Sequence, residues 1–148
     1  MRHGETFANF ERIIQGHQGG ELTDKGNEQA KKIGMRLQDE SFDLVCVSDL
    51  NRTRQTWQNI SLMQGHRHKE EDGKVRFDSR LREKGGGVLE GSPLNTFKQQ
   101  AARAGIELRM YSPEGGERWH DVMLRARDFL TEVTDELLPK KRENRAGV

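Results

Sequence analysis

Two short segments, residues 43–47 and 75–78, lie between stretches of the chain with helical periodicity. They are too short for helices and contain β-branched or aromatic side chains, so we predict a buried strand over the apolar run 43–47 and a short strand over 75–78. Helices are predicted around them over residues 23–40, 51–64, 92–104 and 117–138. This alternation indicates an α/β fold with a mainly parallel central sheet, and such sheets bind ligands beyond the carboxyl ends of their strands.

The ends of the predicted helices are marked by particular residues. Thr23 can cap the first long helix, although Gly26 and Gly34 weaken that prediction because glycine costs about 1 kcal/mol in a helix interior. Pro93 is suited to the first position of the helix over 92–104. The longest helix, which ends before a proline, is expected to place Trp119 in the core.

The composition limits both the core and the kinds of partner. Leu, Ile, Val and Phe make up 31 of 148 residues and the mean hydropathy is −0.95, so a small core is expected. A net charge of +1 gives no field that would recruit nucleic acid or an anionic membrane, and no run is long enough to cross a bilayer. We expect one partial domain over residues 1–138, a basic disordered tail over 139–148, and a cytoplasmic location.

The chain starts with an Arg-His-Gly run after Met1. Its histidine could act as a nucleophile, and the guanidinium of the adjacent arginine could bind an anion. A histidine attacks phosphorus only as a neutral imidazole with one free nitrogen, so the other N–H needs an acceptor. Gly4 would let the backbone approach the ring of His3. The planar guanidinium of Arg2 suits phosphoryl oxygens. A chance terminal histidine is the alternative interpretation.

Two residues elsewhere could complete such a site. Arg52 follows a predicted strand at the start of a helix, where backbone amides favour anions, and could spread the charge of a transferring phosphoryl group. Glu83 could protonate a leaving alkoxide, since a carboxyl group near bound phosphate has a reason to keep its proton. The alternatives are a surface arginine at position 52 and a loop carboxylate paired with Arg80 or Arg82. Arg82 is itself expected to be solvated.

These candidate site residues belong to a set of short segments that follow one another along the chain. They are Arg2-His3-Gly4-Glu5-Thr6, Asn9, Gln15-Gly16, Leu22-Thr23-Asp24-Lys25-Gly26, Ser48-Asp49-Leu50, Arg52-Thr53, Gln55-Thr56, Leu81-Arg82-Glu83, Glu90-Gly91 and Gly115-Gly116-Glu117. In this order and spacing the set resembles the histidine phosphatase superfamily, also called the phosphoglycerate-mutase-like superfamily. Residues 13–16, 78–83 and 112–117 look most like TIGAR-type phosphatases.

The resemblance implies a three-layer fold and removal of phosphate from small phosphorylated metabolites, with fructose 2,6-bisphosphate the substrate usually named. The site residues that it implies are the phosphorylated nucleophile His3, the proton donor Glu83, the phosphate ligands Arg2 and Arg52, and the substrate contacts Asn9, Gln15 and Gly16. It also implies a first strand before the motif and a second catalytic histidine on a late strand.

The sequence departs from that pattern at both ends. Only Met1 precedes the motif, and no histidine follows His120. We therefore expect a truncated form of the fold that lacks the first strand and the late catalytic strand, with impaired activity, because the loss of one preorganised donor costs roughly 100- to 1000-fold in rate. The alternative is a non-catalytic remnant that binds phosphorylated ligands or a protein partner.

The remaining histidines do not indicate a metal centre. His66 and His68 alternate in a charged loop over residues 65–74 without further ligands, so solvation is the favoured interpretation. His17 could meet a substrate, although an exposed loop histidine is the simpler interpretation. No metal and no cofactor are predicted. The predicted partner is a small phosphorylated metabolite, and the sequence leaves the oligomeric state open.

Overall fold

The computed structural model describes residues 1–65 and 72–137. The predicted tail over 139–148 and most of the predicted loop over 65–74, including His66 and His68, lie outside the described residues. No helix in the described ranges is long and apolar enough to cross a membrane.

Within the described residues, the four predicted helices and the two predicted strands follow one another in the expected order, and one short extra helix precedes them. They are α1 (Phe7–Phe10), α2 (Asp24–Arg36), β1 (Val45–Ser48), α3 (Asn51–Met63), β2 (Val75–Asp78), α4 (Asn95–Arg103) and α5 (Trp119–Glu132). Short 3-10 turns occupy Ser79–Leu81 and Gly87–Leu89, and a π-helical turn, Val133–Leu137, follows α5.

Strands β1 and β2 form a two-stranded parallel sheet within the described residues. Their register runs from Val45 opposite Val75 to Ser48 opposite Asp78. The predicted α/β class with parallel pairing is therefore confirmed. Both strands end at one edge, and Arg52 and Glu83 follow this edge on separate segments.

The glycines of α2 are packing positions and not weak points of the helix. Thr23 caps α2 through its side chain, as predicted, and Gly26, Ala30 and Gly34 form a buried stripe at i, i+4 spacing. A Cβ added at Gly34 would lie 2.9 Å from Ile60 Cα, so the glycine allows α2 to approach α3 closely. This contact offsets the cost of glycine in a helix.

Two helix predictions were wrong at their ends. Pro93 lies outside α4 because it forms an isolated antiparallel bridge with Ile13. The next residue, Leu94, donates its backbone N–H to Arg12 O at 2.7 Å. In α5, Trp119 is 54% exposed and not in the core, whereas Phe129 is 5% exposed.

A network of ion pairs connects the C-terminal end of α5 to β2 and the turn that follows it. Arg80 donates to Asp78 Oδ2 and to Glu132 Oε2, both at 2.6 Å. Arg76 pairs with the same two carboxylates. The hydrogen bond from Arg80 lowers the pKa of Asp78 to about 2, although partial burial opposes the shift.

Replacement of Gly26 by alanine should destabilise the fold. A Cβ at this position would meet the backbone carbonyl of Glu5, which cannot move without displacing the segment that carries His3. We expect a loss of about 1–3 kcal/mol in a urea titration, more than the helix propensity that alanine restores. Gly19→Ala is the matched control, since its Cβ would meet nothing within 4 Å. Equal stability of both variants would contradict the packing argument.

Asp78 should make the fold sensitive to acid. Because its pKa falls to about 2 on folding, its contribution is present above the unfolded value of about 3.8 and is lost as the pH falls towards 2. Asp78→Asn should therefore cost about 2 kcal/mol in a urea titration at neutral pH and progressively less below about pH 4. Asp128→Asn, at an exposed carboxylate on α5, serves as the control. A pH-independent deficit in Asp78→Asn would contradict this account.

Candidate active site

The segment that carries His3 is held in place by its glycine. The Gly4 N–H donates to Thr56 Oγ1 on α3 at 3.1 Å, and that hydroxyl donates to Arg52 O at 2.7 Å. A Cβ on Gly4 would collide with the carbonyl of Gly26 on α2. Glycine thus lets the motif lie against both helices, which places His3 beside the start of α3.

His3 is arranged as a neutral imidazole with one free nitrogen. Its Nδ1 lies 2.7 Å from Gly4 O, and since a carbonyl can only accept, Nδ1 carries the proton and Nε2 keeps its lone pair. Partial burial lowers the pKa of His3, and the positive charges of Arg52 and Arg2 lower it further. The hydrogen bond to Gly4 O and the negative charge of Glu83 act in the opposite direction and raise the pKa. The lowered pKa favours the neutral form of the ring.

Arg52 is a buried guanidinium that organises a loop, with 1% of the residue exposed. Its Nη1 donates to Gln18 O at 2.9 Å and Gly19 O at 3.0 Å, and its Nη2 donates to Gly16 O at 2.8 Å. Its Nε is buried without a hydrogen-bond partner. The interpretation of Arg52 as a surface arginine is wrong, because the loop has closed over it.

Glu83 lies beside Arg52 and does not pair with its sequence neighbours. Its Oε2 is 3.4 Å from Arg52 Nη2, and its side chain is 62% exposed. Arg80 instead joins the network around Asp78, and Arg82 forms a two-pronged pair with Asp49 at 2.7 and 2.5 Å. The prediction that Arg82 is solvated was therefore wrong.

Asn9, Gln15 and Gly16 shape the wall next to this site. Asn9 Oδ1 accepts from the backbone N–H of Thr6, and Gln15 Oε1 accepts from Thr6 Oγ1 at 3.0 Å. Gly16 has a φ of +49°, in the left-handed region that favours glycine, and a Cβ there would collide with the carboxylate of Glu90. All three predicted substrate contacts line one cavity of about 730 Å³.

His3, Arg2, Arg52 and Glu83 line a second, smaller cavity of about 320 Å³. Arg2 and Glu83 also line the larger one, so the two cavities adjoin at these residues. The structure therefore brings together all seven residues that the sequence singled out. Within the described ranges, no cluster of three or more His, Cys, Asp or Glu side chains is arranged to hold a metal ion.

A comparison with protein families matches residues 1–141 to the histidine phosphatase superfamily (branch 1). The chain belongs to the histidine phosphatase superfamily. It is 41% identical over 142 residues to the fructose-2,6-bisphosphatase TIGAR of Mus musculus, covering 95% of this chain and 51% of that protein. It is 40% identical over 145 residues to the Bos taurus TIGAR, covering 97% of this chain and 53% of that protein. The chain thus spans about half the length of these relatives.

Several solved structures share the fold of this chain. YhfR of Bacillus stearothermophilus superposes with a TM-score of 0.76 at 31% identity, covering 92% of this chain and 66% of that chain. A mycobacterial glucosyl-3-phosphoglycerate phosphatase gives a TM-score of 0.74 at 30% identity, covering 92% and 62%. A Bacillus anthracis phosphoglycerate mutase, at 24% identity with a TM-score of 0.78, covers 91% and 66% and supports the fold alone. The predicted phosphoglycerate-mutase-like fold is thereby confirmed.

Sequence reasoning missed the role of Glu90, whose carboxylate joins the loops at residues 16–18 and 85–86. Its Oε1 accepts from His17 N at 2.8 Å and from Gly86 N at 2.8 Å, and its Oε2 accepts from Gln18 N at 3.1 Å. The Glu90-Gly91 pair belongs to the family pattern. Nothing local to it indicated which backbone groups the carboxylate would bind.

Arg125 was missed as well, and it fixes the backbone that carries Glu83. It donates to the carbonyls of Arg82 at 2.6 Å and Glu83 at 3.0 Å, and it is held by Glu117 at 2.8 Å. His17, predicted to be exposed or to meet substrate, is half-buried with Nε2 2.8 Å from Glu83 O and 3.4 Å from Glu117 Oε2. These contacts hold the backbone of Glu83, the candidate proton donor, in place.

The pKa of His3 should lie below the ordinary histidine value of 6.5. An NMR titration of the ring protons measures this directly and needs no substrate. Arg2→Gln removes one positive neighbour, so the pKa should rise in that variant while staying below 6.5, because burial is the larger cause. A titration midpoint above 6.5 in the unaltered chain would contradict the proposed environment.

Proposed function

We propose that this chain is a phosphohydrolase that removes phosphate from small phosphorylated metabolites of the fructose 2,6-bisphosphate type through a phosphohistidine at His3. In this proposal Arg2 and Arg52 hold the transferred phosphate and Glu83 protonates the leaving group. Asn9, Gln15 and Gly16 contact the rest of the substrate. The observation that carries the proposal is the free Nε2 of a neutral His3 beside two guanidinium groups.

The first step transfers the phosphoryl group to the protein. The lone pair of His3 Nε2 forms a bond to phosphorus while the P–O bond to the sugar breaks, and its electron pair goes to the sugar oxygen. Glu83 gives that oxygen a proton. In the second step the oxygen of a water molecule forms a bond to phosphorus while the P–N bond breaks and its electron pair returns to His3 Nε2. Glu83 takes a proton from that water and inorganic phosphate leaves, so both residues regain their starting states.

The guanidinium groups would stabilise the charge on the phosphoryl oxygens during both steps. Arg52 has its Nη atoms on loop carbonyls, so its charge is fixed in place, and its buried Nε is an unused donor. Arg2 has no partner among the described residues and is exposed, so it is free to close on the phosphate. In this proposal Arg52 keeps its position, whereas the side chain of Arg2 moves towards the bound phosphate.

The choice of substrate class rests on the relatives. The proteins that match along nearly the whole chain are named for fructose 2,6-bisphosphate, and a solved structural neighbour is named for glucosyl-3-phosphoglycerate. Both names denote phosphorylated sugars or sugar acids. The cavity of about 730 Å³ next to the His3 cavity has room for such a molecule.

His3→Ala should abolish phosphate release from fructose 2,6-bisphosphate, by at least about 1,000-fold, since it removes the nucleophile. His120→Ala is the matched control: His120 is exposed at the start of α5, outside the residues lining either cavity, so the rate should stay within about twofold. Equal release by the unaltered chain and His3→Ala would exclude the proposed mechanism. Tight substrate binding without release by the unaltered chain would favour a non-catalytic ligand-binding protein.

Glu83→Gln should separate proton donation from phosphate binding. With a sugar phosphate, whose leaving group needs a proton, the rate of phosphohistidine formation should fall by about 100-fold. With p-nitrophenyl phosphate, whose leaving group departs as an anion, the same step should change less than about fivefold. Rapid-quench measurement of the labelled phosphohistidine provides both rates. Equal losses with the two substrates would remove Glu83 from the role of acid.

A further inference from the structure

Three buried side-chain atoms have no hydrogen-bond partner within the described residues: Ser48 Oγ, Arg52 Nε and Gln64 Oε1. A polar atom that is buried without a partner destabilises a fold, and nearly all such atoms in native proteins are paired. Each exception therefore needs a physical explanation. A bound ligand is one such explanation when the residue lines a cavity.

Two of the three atoms belong to residues that line the cavity of about 320 Å³ with His3. Ser48, 8% exposed, is the last residue of β1, and Arg52, 1% exposed, lies in the first turn of α3. Gln64 does not line this cavity. A serine hydroxyl and a guanidinium Nε can both donate a hydrogen bond, so a ligand rich in acceptor oxygens would satisfy both atoms.

The second hydroxyl of this cavity is already engaged. Thr53 Oγ1 lies 2.7 Å from Ser48 O and 2.6 Å from Leu50 O, so its proton is used within the turn between β1 and α3. The same contact holds the backbone of Ser48 where β1 ends. The hydroxyl of Ser48 is thus carried on a fixed backbone, while its own hydrogen-bonding capacity is unused within the described residues.

Ser48 also lines a cavity of about 470 Å³ whose walls are mostly apolar, with Trp57 and Ile60 among them. Arg2 and His3 line that cavity too. In both cavities, therefore, the guanidinium of Arg2 and the imidazole of His3 accompany the unpaired hydroxyl. An anion held at these groups is the ligand that the nearby positive charges favour.

We propose that Ser48 is a substrate-binding residue whose hydroxyl donates a hydrogen bond to an oxygen of the phosphoryl group at His3, beside the Nε of Arg52. The inference rests on the proposed function for the position of that phosphoryl group. It adds a neutral ligand to the two guanidinium groups and explains why a buried serine without a partner stands at the end of β1.

The contribution of Ser48 differs from that of the two cations. A guanidinium attracts phosphate over several ångströms, whereas a neutral hydroxyl acts only at short distance and in a narrow range of directions. Ser48 and Arg52 are carried by β1 and α3, on either side of one short turn, so their donors keep a fixed relation to each other. The hydroxyl therefore fixes the orientation of the phosphoryl group in front of His3 Nε2.

The test titrates inorganic phosphate into the full 148-residue chain and follows the NMR signals of the His3 ring, which report binding at this site. In Ser48→Ala the affinity for phosphate should fall about tenfold, because one hydrogen bond to a charged group is lost. The rate of phosphohistidine formation from p-nitrophenyl phosphate, measured by rapid quench, should fall by about the same factor.

Thermal stability distinguishes this role from a structural one. Ser48→Ala removes no hydrogen bond within the described residues, so its melting temperature should be unchanged or higher. A serine that served the fold alone would show the reverse, with a lower melting temperature and an unchanged affinity. A fall of more than about 4 °C in Ser48→Ala would overturn the proposal.

Ser61→Ala is the matched control. Ser61 is a buried serine on α3, 7% exposed, and lines neither cavity, so the same substitution should leave the phosphate affinity and the reaction rate within about twofold. Equal phosphate affinity in Ser48→Ala and the unaltered chain would refute the role of Ser48, as would equal losses in Ser48→Ala and Ser61→Ala.

Binding and reaction together separate this inference from the proposed function. A chain that forms the phosphohistidine at the same rate with and without the Ser48 hydroxyl refutes the role of Ser48 alone. A chain whose phosphate affinity depends on Ser48 but which forms no phosphohistidine refutes the hydrolase and leaves a phosphate-binding site. A chain that shows neither phosphate binding at His3 nor phosphohistidine refutes both.

Discussion

The architecture of the site depends on one buried guanidinium. Arg52 draws the carbonyls of Gly16, Gln18 and Gly19 inwards and so shapes the loop that forms one wall. Burial lowers the pKa of Arg52, while the nearby carboxylate of Glu83 opposes that shift, so the cation is kept at the cost of its solvation. The same charge lowers the pKa of His3, so the shape of the wall and the protonation state of this imidazole both depend on Arg52.

Much of this arrangement could be predicted from local sequence. The boundaries of α3 and β2, the Thr23 cap of α2 and the proximity of Arg52 to Glu83 follow from periodicity, capping chemistry and the shared edge of a parallel sheet. These features are governed by residues close together in sequence or by a rule of topology. The family pattern added the remaining site residues.

What could not be predicted depends on contacts between distant segments. Glu90 binds backbone amides and Arg125 binds backbone carbonyls. Any acidic or basic side chain could make such contacts at many positions. Trp119 satisfied the helical pattern of a core residue but is exposed, since burial depends on what packs against the helix. Helix propensity alone predicts that Gly34 weakens α2, whereas its contact with α3 decides its effect.

The three hydrogen bonds that Glu90 accepts make the loops at residues 16–18 and 85–86 mechanically dependent on each other. Neither loop can swing away from the other unless a single carboxylate gives up its bonds, which would leave a half-buried anion without compensation. The two loops are therefore expected to open as one cooperative unit, and amide protons on both loops should exchange with solvent at correlated rates.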